Sequence, residues 1–205
     1  MTFQFSFRNT LLTACLALAV SACATAPNNP TSADEMRAQE QRAQAGETYS
    51  ENELVDAIST HLGVTSESAA SAIEKLFKDR GRPVGYITGE EGGGALTIGA
   101  RFGKGTLWMK DGGVEDIYWQ GPTLGFDVGA DASKVFTLVY GLDEIKDIYR
   151  RFPGVDGSAY LIGGMAVNYQ RTNGITLAPI RTGVGARLGA NIGYTRYTRK
   201  RSLPF

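Results

Sequence analysis

Cysteine and histidine are nearly missing from this 205-residue chain, which has two cysteines, Cys15 and Cys23, and one histidine, His61. So few ligands and nucleophiles exclude the usual zinc clusters and the common nucleophile–histidine pairs. Long apolar runs are also missing. The longest lies after Arg8, in "NTLLTACLALAVSACATAP", and is too short for a bilayer-spanning helix of ~20 residues. Acidic residues stop at Asp156, whereas Arg171, Arg181, Arg187, Arg196, Arg199, Lys200 and Arg201 follow. The net charge is nevertheless zero. That argues against a uniformly basic nucleic-acid binder, and no nucleic-acid partner is expected.

A phosphate-binding loop is absent as well. "GEEGGGALTIGARFGKGTLW" is rich in glycine and holds Gly103-Lys104. A P-loop needs a glycine five residues before that pair and a Ser or Thr after it. Ile98 and Gly105 occupy those positions. "GVGARLG" has one residue too many before its last glycine to be a dinucleotide fingerprint. No cofactor, metal or catalytic residue is expected. These glycines read instead as backbone that lets strongly coiled strands bend.

What is present begins with an export signal. Residues 1–23 follow the plan of a secretory signal peptide. The end, Val20-Ser21-Ala22-Cys23, resembles a bacterial lipobox, which makes Cys23 the expected lipidation site. Ordinary cleavage at Ala22-Cys23-Ala24, which also fits the small-x-small rule, is the rival. Ala24 follows the cysteine where an Asp would signal inner-membrane retention, so sorting to the outer membrane is expected. Cys15 would leave with the signal, so the mature chain has no internal disulfide. Residues 24–49 are polar and read as a tether reaching ~25–30 Å, with a helical tendency in "ADEMRAQEQRAQA".

Residues 50–80 read as a helical segment. Ser50 and Glu53 form a capping-box pattern before the stripe Leu54, Val55, Ile58 and Leu62. A second helix over 66–79 buries Ala69, Ala72, Ile73, Leu76 and Phe77. His61 ends the first helix, where a cationic side chain is favoured, and reads as structural.

Residues 81–205 hold all but two of the 26 glycines, and the period falls to two. In "LTIGARF" Phe102 shares a face with Leu96, Ile98 and Ala100, opposite Arg101. Similar alternation places Phe126 and Leu188 on dry faces of "LGFDVGAD" and "VGARLGANIGY". Further strands fit 84–88, 105–110, 114–120, 133–140, 158–171 and 174–180. Turns fit "KDGG" and "RTNG", and one helix fits "LDEIKDIYRRF". The fold class is mainly β: a small antiparallel β-barrel of about eight strands, with a short N-terminal helical segment and one inserted helix. Trp108 and Trp119 pack in or against that barrel, where either can meet a sugar ring.

The blocks "YWQGPTLGFDVGADASK", "RFPGVDGSAYLIGG" and "LAPIRTGVGARLGANIGY" and the terminal "PF" resemble the EipA family of periplasmic envelope integrity proteins, over Gly85 to Phe205. "GPTLGFDVGADASKVFTLV" followed by "GSAYLIGGMAV" is more distantly similar to the SYLF lipid-binding domain. The EipA resemblance implies a soluble eight-stranded barrel and a role in envelope stress resistance linked to lipopolysaccharide O-polysaccharide. It carries no catalytic residues. Cys23 departs from it, because the family is soluble in the periplasm.

Three function classes follow. The first is a non-enzymatic envelope module, periplasmic or anchored to the outer membrane, that binds an anionic lipid or a lipopolysaccharide component. Arg181, Arg187 and Arg199 are its candidate anion contacts, since a guanidinium grips phosphate in a forked geometry. Asp127 and Asp131 are the alternative partners of these arginines. The second is an integral outer-membrane barrel, suggested by the terminal Phe205 but opposed by Pro204 and the "RKR" cluster. The third is a glycan-acting enzyme that uses carboxylates alone.

Overall fold

The computed structural model describes residues 32–94, 98–124, 133–155, 158–182 and 193–201. Phe126, Leu188, Arg187, Cys23, Asp127 and Asp131 lie outside the described residues. Among the described residues, ten strands form one curled antiparallel sheet. They are β1 (Gly85–Gly94), β2 (Ile98–Met109), β3 (Val114–Leu124), β4 (Ser133–Tyr140), β5 (Arg151–Pro153), β6 (Tyr160–Ile162), β7 (Met165–Val167), β8 (Gln170–Thr172), β9 (Ile175–Thr182) and β10 (Tyr194–Thr198). The order is β5-β10-β3-β2-β1-β4-β9-β7-β6, and β8 also pairs with β9. An antiparallel bridge between Gly154 and Gln170 brings the β5 edge back to β8. The Val155 N–H adds a bond to the Tyr169 carbonyl, 2.9 Å away. These contacts make a ring of eight strands, the expected barrel.

The turns follow local chemistry. Asn173 and Gly174, both at positive φ, join β8 to β9 as an Asn-Gly pair does in a tight hairpin. Asp111 accepts the Gly113 N–H at 3.0 Å in the β2–β3 turn.

β4 and β9 are covered on both sides. Outward, Phe136, Leu138, Tyr140, Ala178 and Ile180 meet the helices α2 (Glu51–Leu62) and α3 (Ser66–Arg80). Inward, Val135, Val139, Ile175 and Leu177 join Ile87, Leu107, Ile117, Trp119, Phe152 and Tyr197 in the barrel interior. The helices present the expected faces: Leu54, Ile58 and Leu62 from α2, and Ala69, Ala72, Ile73 and Leu76 from α3. The capping box forms as read, with the Ser50 N–H donating to Glu53 Oε2 at 2.8 Å. Lys110 and then Ser50 hydrogen-bond the Glu53 carboxyl and hold it down to about 2. Gly63 ends α2 in the left-handed conformation.

Four expectations change. First, the stretch read as a tether, whose helical tendency is met by α1 (Ser32–Gln44), makes a contact with the folded unit through an Arg42–Asp143 pair. Thr48 is buried and the Tyr49 N–H donates to the Pro83 carbonyl at 2.9 Å, so the packed unit starts ahead of Ser50. Second, the inserted helix is a single 3-10 turn, Ile145–Ile148. Ile148 and Phe152 must both enter the barrel core, and Arg151–Pro153 is taken up by pairing with β10. Third, 158–171 is not one strand. It breaks at Gly163-Gly164 and again at Asn168-Tyr169. Fourth, Phe102 is half-buried on the outer face. The alternate β2 positions 101, 103, 105, 107 and 109 point inward, because Leu107 and Met109 are in the core.

The glycines of β1 and β2 introduce no bulge between these strands. The two pair in unbroken register from Gly85–Met109 to Gly94–Ala100. Their role is room. A Cβ on Gly103 would overlap Cε2, Cζ2 and Nε1 of Trp119, and one on Gly89 would lie 2.6 Å from Trp119 Cη2.

Candidate functional site

The barrel interior turns polar beyond Trp119. Glu91 on β1 and Arg181 on β9 are each 7% exposed, and they meet there. Arg181 donates through Nε to Glu91 Oε1 and through Nη2 to Oε2 at 3.3 Å, a forked pair. Its Nη1 donates to Asn168 Oδ1 at 3.1 Å. Asn168 sits at the break between β7 and β8, so that break supplies the side chain that fixes the guanidinium. Trp119 Nε1–H donates to Glu91 Oε2 at 3.2 Å, and Arg101 Nε lies 3.7 Å from the same oxygen. Burial would raise the Glu91 carboxyl, but Arg181, Arg101 and the hydrogen bonds outweigh it and hold the group below its usual value. An ionised carboxylate gripped this way is a poor proton donor or acceptor. Its role is to hold β1, β2, β3 and β9 together.

Sequence reasoning missed Glu91 and Asn168. Glu91 was legible as the position in phase with Ile87 and Gly89. Asn168 carried no local signal. Arg181, expected as an anion contact, sits inside the barrel with Glu91. Arg199 follows β10, exposed, with Nε 3.7 Å from Glu115 Oε1 and its guanidinium 4.8 Å from the Tyr149 ring centre. The structure therefore does not bring Arg181 and Arg199 to one face.

A basic surface does form at the β5–β10 edge. Thr195 and Tyr197 point inward, so Tyr194 and Arg196 point out. Arg196 pairs in register with Arg151, whose guanidinium lies 4.7 Å from the Tyr194 ring centre. Arg151, Arg196, Arg199, Lys200 and Arg201 are all exposed. Neither β5 nor β10 contains an acidic residue.

A second feature lies on the outer wall between α2 and strands β1, β2 and β4. It is an open groove of about 530 Å³ lined by Asp56, Thr60, His61, Tyr86, Trp108 and Lys134, among others. Trp108 is 37% exposed and its Nε1–H donates to Thr88 Oγ1 at 3.0 Å. His61 belongs to the groove wall, where the Gly89 N–H donates to its Nε2 at 3.2 Å. That bond ties α2 to β1, and the same ring nitrogen lies 3.1 Å from the Val135 carbonyl on β4.

Comparison with curated proteins gives no match. Among solved structures, the chain is similar to a β-barrel-like, uncharacterised protein from Brucella abortus. The two are 47% identical, with a TM-score of 0.70, over 77% of this chain and 98% of that one. The model of the family described as envelope integrity protein A matches residues 47–205, from just ahead of Tyr49 to the C-terminus. With its curled barrel, its two-helix cover and that match over most of its length, the chain belongs to the EipA, or envelope integrity protein A, family.

Proposed function

We propose that this protein is a non-catalytic module of the cell envelope. It rests on the membrane by its β5–β10 edge, and that edge contacts the phosphate groups of an anionic lipid or a lipopolysaccharide component. The observation that carries this reading is the exposed row Arg151, Arg196, Arg199, Lys200 and Arg201 on and after β5 and β10, with Arg151 over the exposed Tyr194 and no carboxylate on either strand. Cations near an anionic leaflet contribute about 1 kcal/mol each, and an exposed tyrosine suits the headgroup level. Family membership supports a role in envelope integrity. The commitment of Glu91 to Arg181 and Trp119 supports a non-catalytic one. An integral barrel would need an outward apolar band. Here the outward positions include Arg151, Arg196 and Lys104, while helices cover β4 and β9.

The test uses full-length protein carrying Cys23→Ser, so that no acyl chain contributes. It should float with phosphatidylglycerol-containing vesicles at low salt and not with pure phosphatidylcholine. Adding Arg151→Ala and Arg196→Ala should weaken that binding about 30-fold, from two cations at about 1 kcal/mol each. Equal flotation with both vesicle types would overturn the reading. Cys23 is the proposed anchor: the wild-type chain should partition into detergent and the Cys23→Ser chain should stay in the aqueous phase. A mature wild-type protein whose mass shows no attached lipid refutes the anchor but leaves the basic edge standing.

A further inference from the structure

We infer that the groove between α2 and the outer wall of β1, β2 and β4 is a glycan-binding site, with one sugar ring stacked on Trp108. The groove is separate from the basic edge and does not depend on the lipid reading.

Three observations carry this. First, Trp108 is a large aromatic residue that remains 37% exposed. It is also fixed in place. Its N–H is committed to Thr88 Oγ1, and its ring lies roughly parallel to Tyr86, at 6.4 Å and 25°. Tyr86 in turn stacks on Phe136 at 5.0 Å and meets Tyr49 edge-on at 4.9 Å. The floor is thus an anchored aromatic stack, and Trp108 cannot fold away without breaking it. A rigid π face offers a flat apolar platform, and the C–H face of a pyranose is the matching surface.

Second, the rim combines hydrogen-bonding types. Asp56 accepts only, Lys134 donates only, and the Thr60 hydroxyl does both. A row of sugar hydroxyls needs donors and acceptors side by side. The opposite charges of Asp56 and Lys134 offset each other, so the rim favours neither a strongly anionic nor a strongly cationic ligand. This separates the groove from the β5–β10 edge, whose two strands carry arginines and no carboxylate.

Third, the groove is an open trough of about 530 Å³. An open trough admits an internal stretch of a polysaccharide, whereas an enclosed pocket would take only a free monosaccharide. Asp56 is the single carboxylate among the described lining residues, and a two-carboxylate hydrolytic mechanism needs a pair. The site therefore holds its glycan without cleaving it.

The chain has two tryptophans, so its indole N–H resonances can be told apart. Full-length protein carrying Cys23→Ser is first screened on an array of bacterial and plant glycans. Its best binder is then titrated into 15N-labelled protein. The expected result is a shift of the Trp108 indole resonance with Trp119 unmoved. Trp108→Ala should weaken binding at least tenfold, and Trp108→Phe should recover part of it. The unmoved Trp119 resonance shows that each variant is folded. Asp56→Ala, on the exposed face of α2, should also weaken binding without affecting the fold. The Arg151→Ala, Arg196→Ala variant should bind the glycan as wild type does, so a failed lipid reading leaves this one intact. No glycan retained by the wild-type chain, or a binder held equally well by Trp108→Ala, overturns the inference.

Discussion

Replacing Glu91 with alanine should lower the stability of the domain by about 3–5 kcal/mol, as removal of one partner from a buried ion pair does. The guanidinium of Arg181 is buried and would keep Asn168 alone among the described residues as a hydrogen-bond partner, and the Trp119 N–H would lose its acceptor. The double variant Glu91→Leu, Arg181→Met removes both charges and should recover most of that loss, since an apolar replacement of a buried pair is often neutral. The pH dependence has a definite sign. The carboxyl titrates lower in the folded chain than in the unfolded one. Its contribution is therefore complete above the unfolded value of about 4.3 and fades as the pH falls through the folded value. Urea midpoints measured between pH 7 and pH 3 should fall in the wild type, and fall less in Glu91→Ala. A loss below 1 kcal/mol at pH 7 would show that the cluster does not hold the barrel together.

The second large effect is expected from one methyl group. Gly103→Ala should destabilise by about 3 kcal/mol, at the upper end of the usual range for overpacking. The new Cβ would overlap the Trp119 indole. That ring is 5% exposed and is tied to Glu91, so it cannot withdraw without breaking the bond to the carboxylate. Trp119→Leu alone should also be costly, through the cavity it leaves. Combined, the two changes should cost clearly less than their sum, because the smaller leucine side chain vacates the space that the methyl group needs. Strict additivity in chemical denaturation would show that Gly103 and Trp119 do not share that space.

Much of the fold was legible because it was written locally. The capping box at Ser50 and Glu53, the apolar faces of α2 and α3 and the Asn173-Gly174 turn each depend on residues within a few positions. The barrel class followed from the period-two pattern and the family resemblance. The errors arose where partners were distant. β2 was phased by taking Phe102 as dry and Arg101 as wet. The actual phase is set by Leu107 and Met109, and Arg101 turns inward to meet a carboxylate on β1. The β1–β2 glycines were read only as bends, because the indole that Gly89 and Gly103 accommodate comes from β3. Arg181 looked like a surface cation, since its partner lies 90 residues earlier in the chain. The groove was only partly visible. Trp108 was noticed, but the helix that supplies Asp56 and Thr60 gave no sign of where it would dock.

The burial of β4 and β9 on both faces has a thermodynamic consequence. Neighbouring residues such as Val135 and Phe136 serve different cores, one inside the barrel and one beneath the helices. The two strands form a party wall, and neither room can be emptied while its neighbour stays furnished. If α2 and α3 detach, Phe136, Leu138 and Ile180 face water from the same backbone that carries Val135, Val139 and Leu177. The helical layer and the barrel should therefore melt in a single calorimetric transition, with matching calorimetric and van't Hoff enthalpies. The two helices and the barrel would then be one cooperative unit in evolution and in engineering, and grafting the barrel without its helices would expose half of that wall.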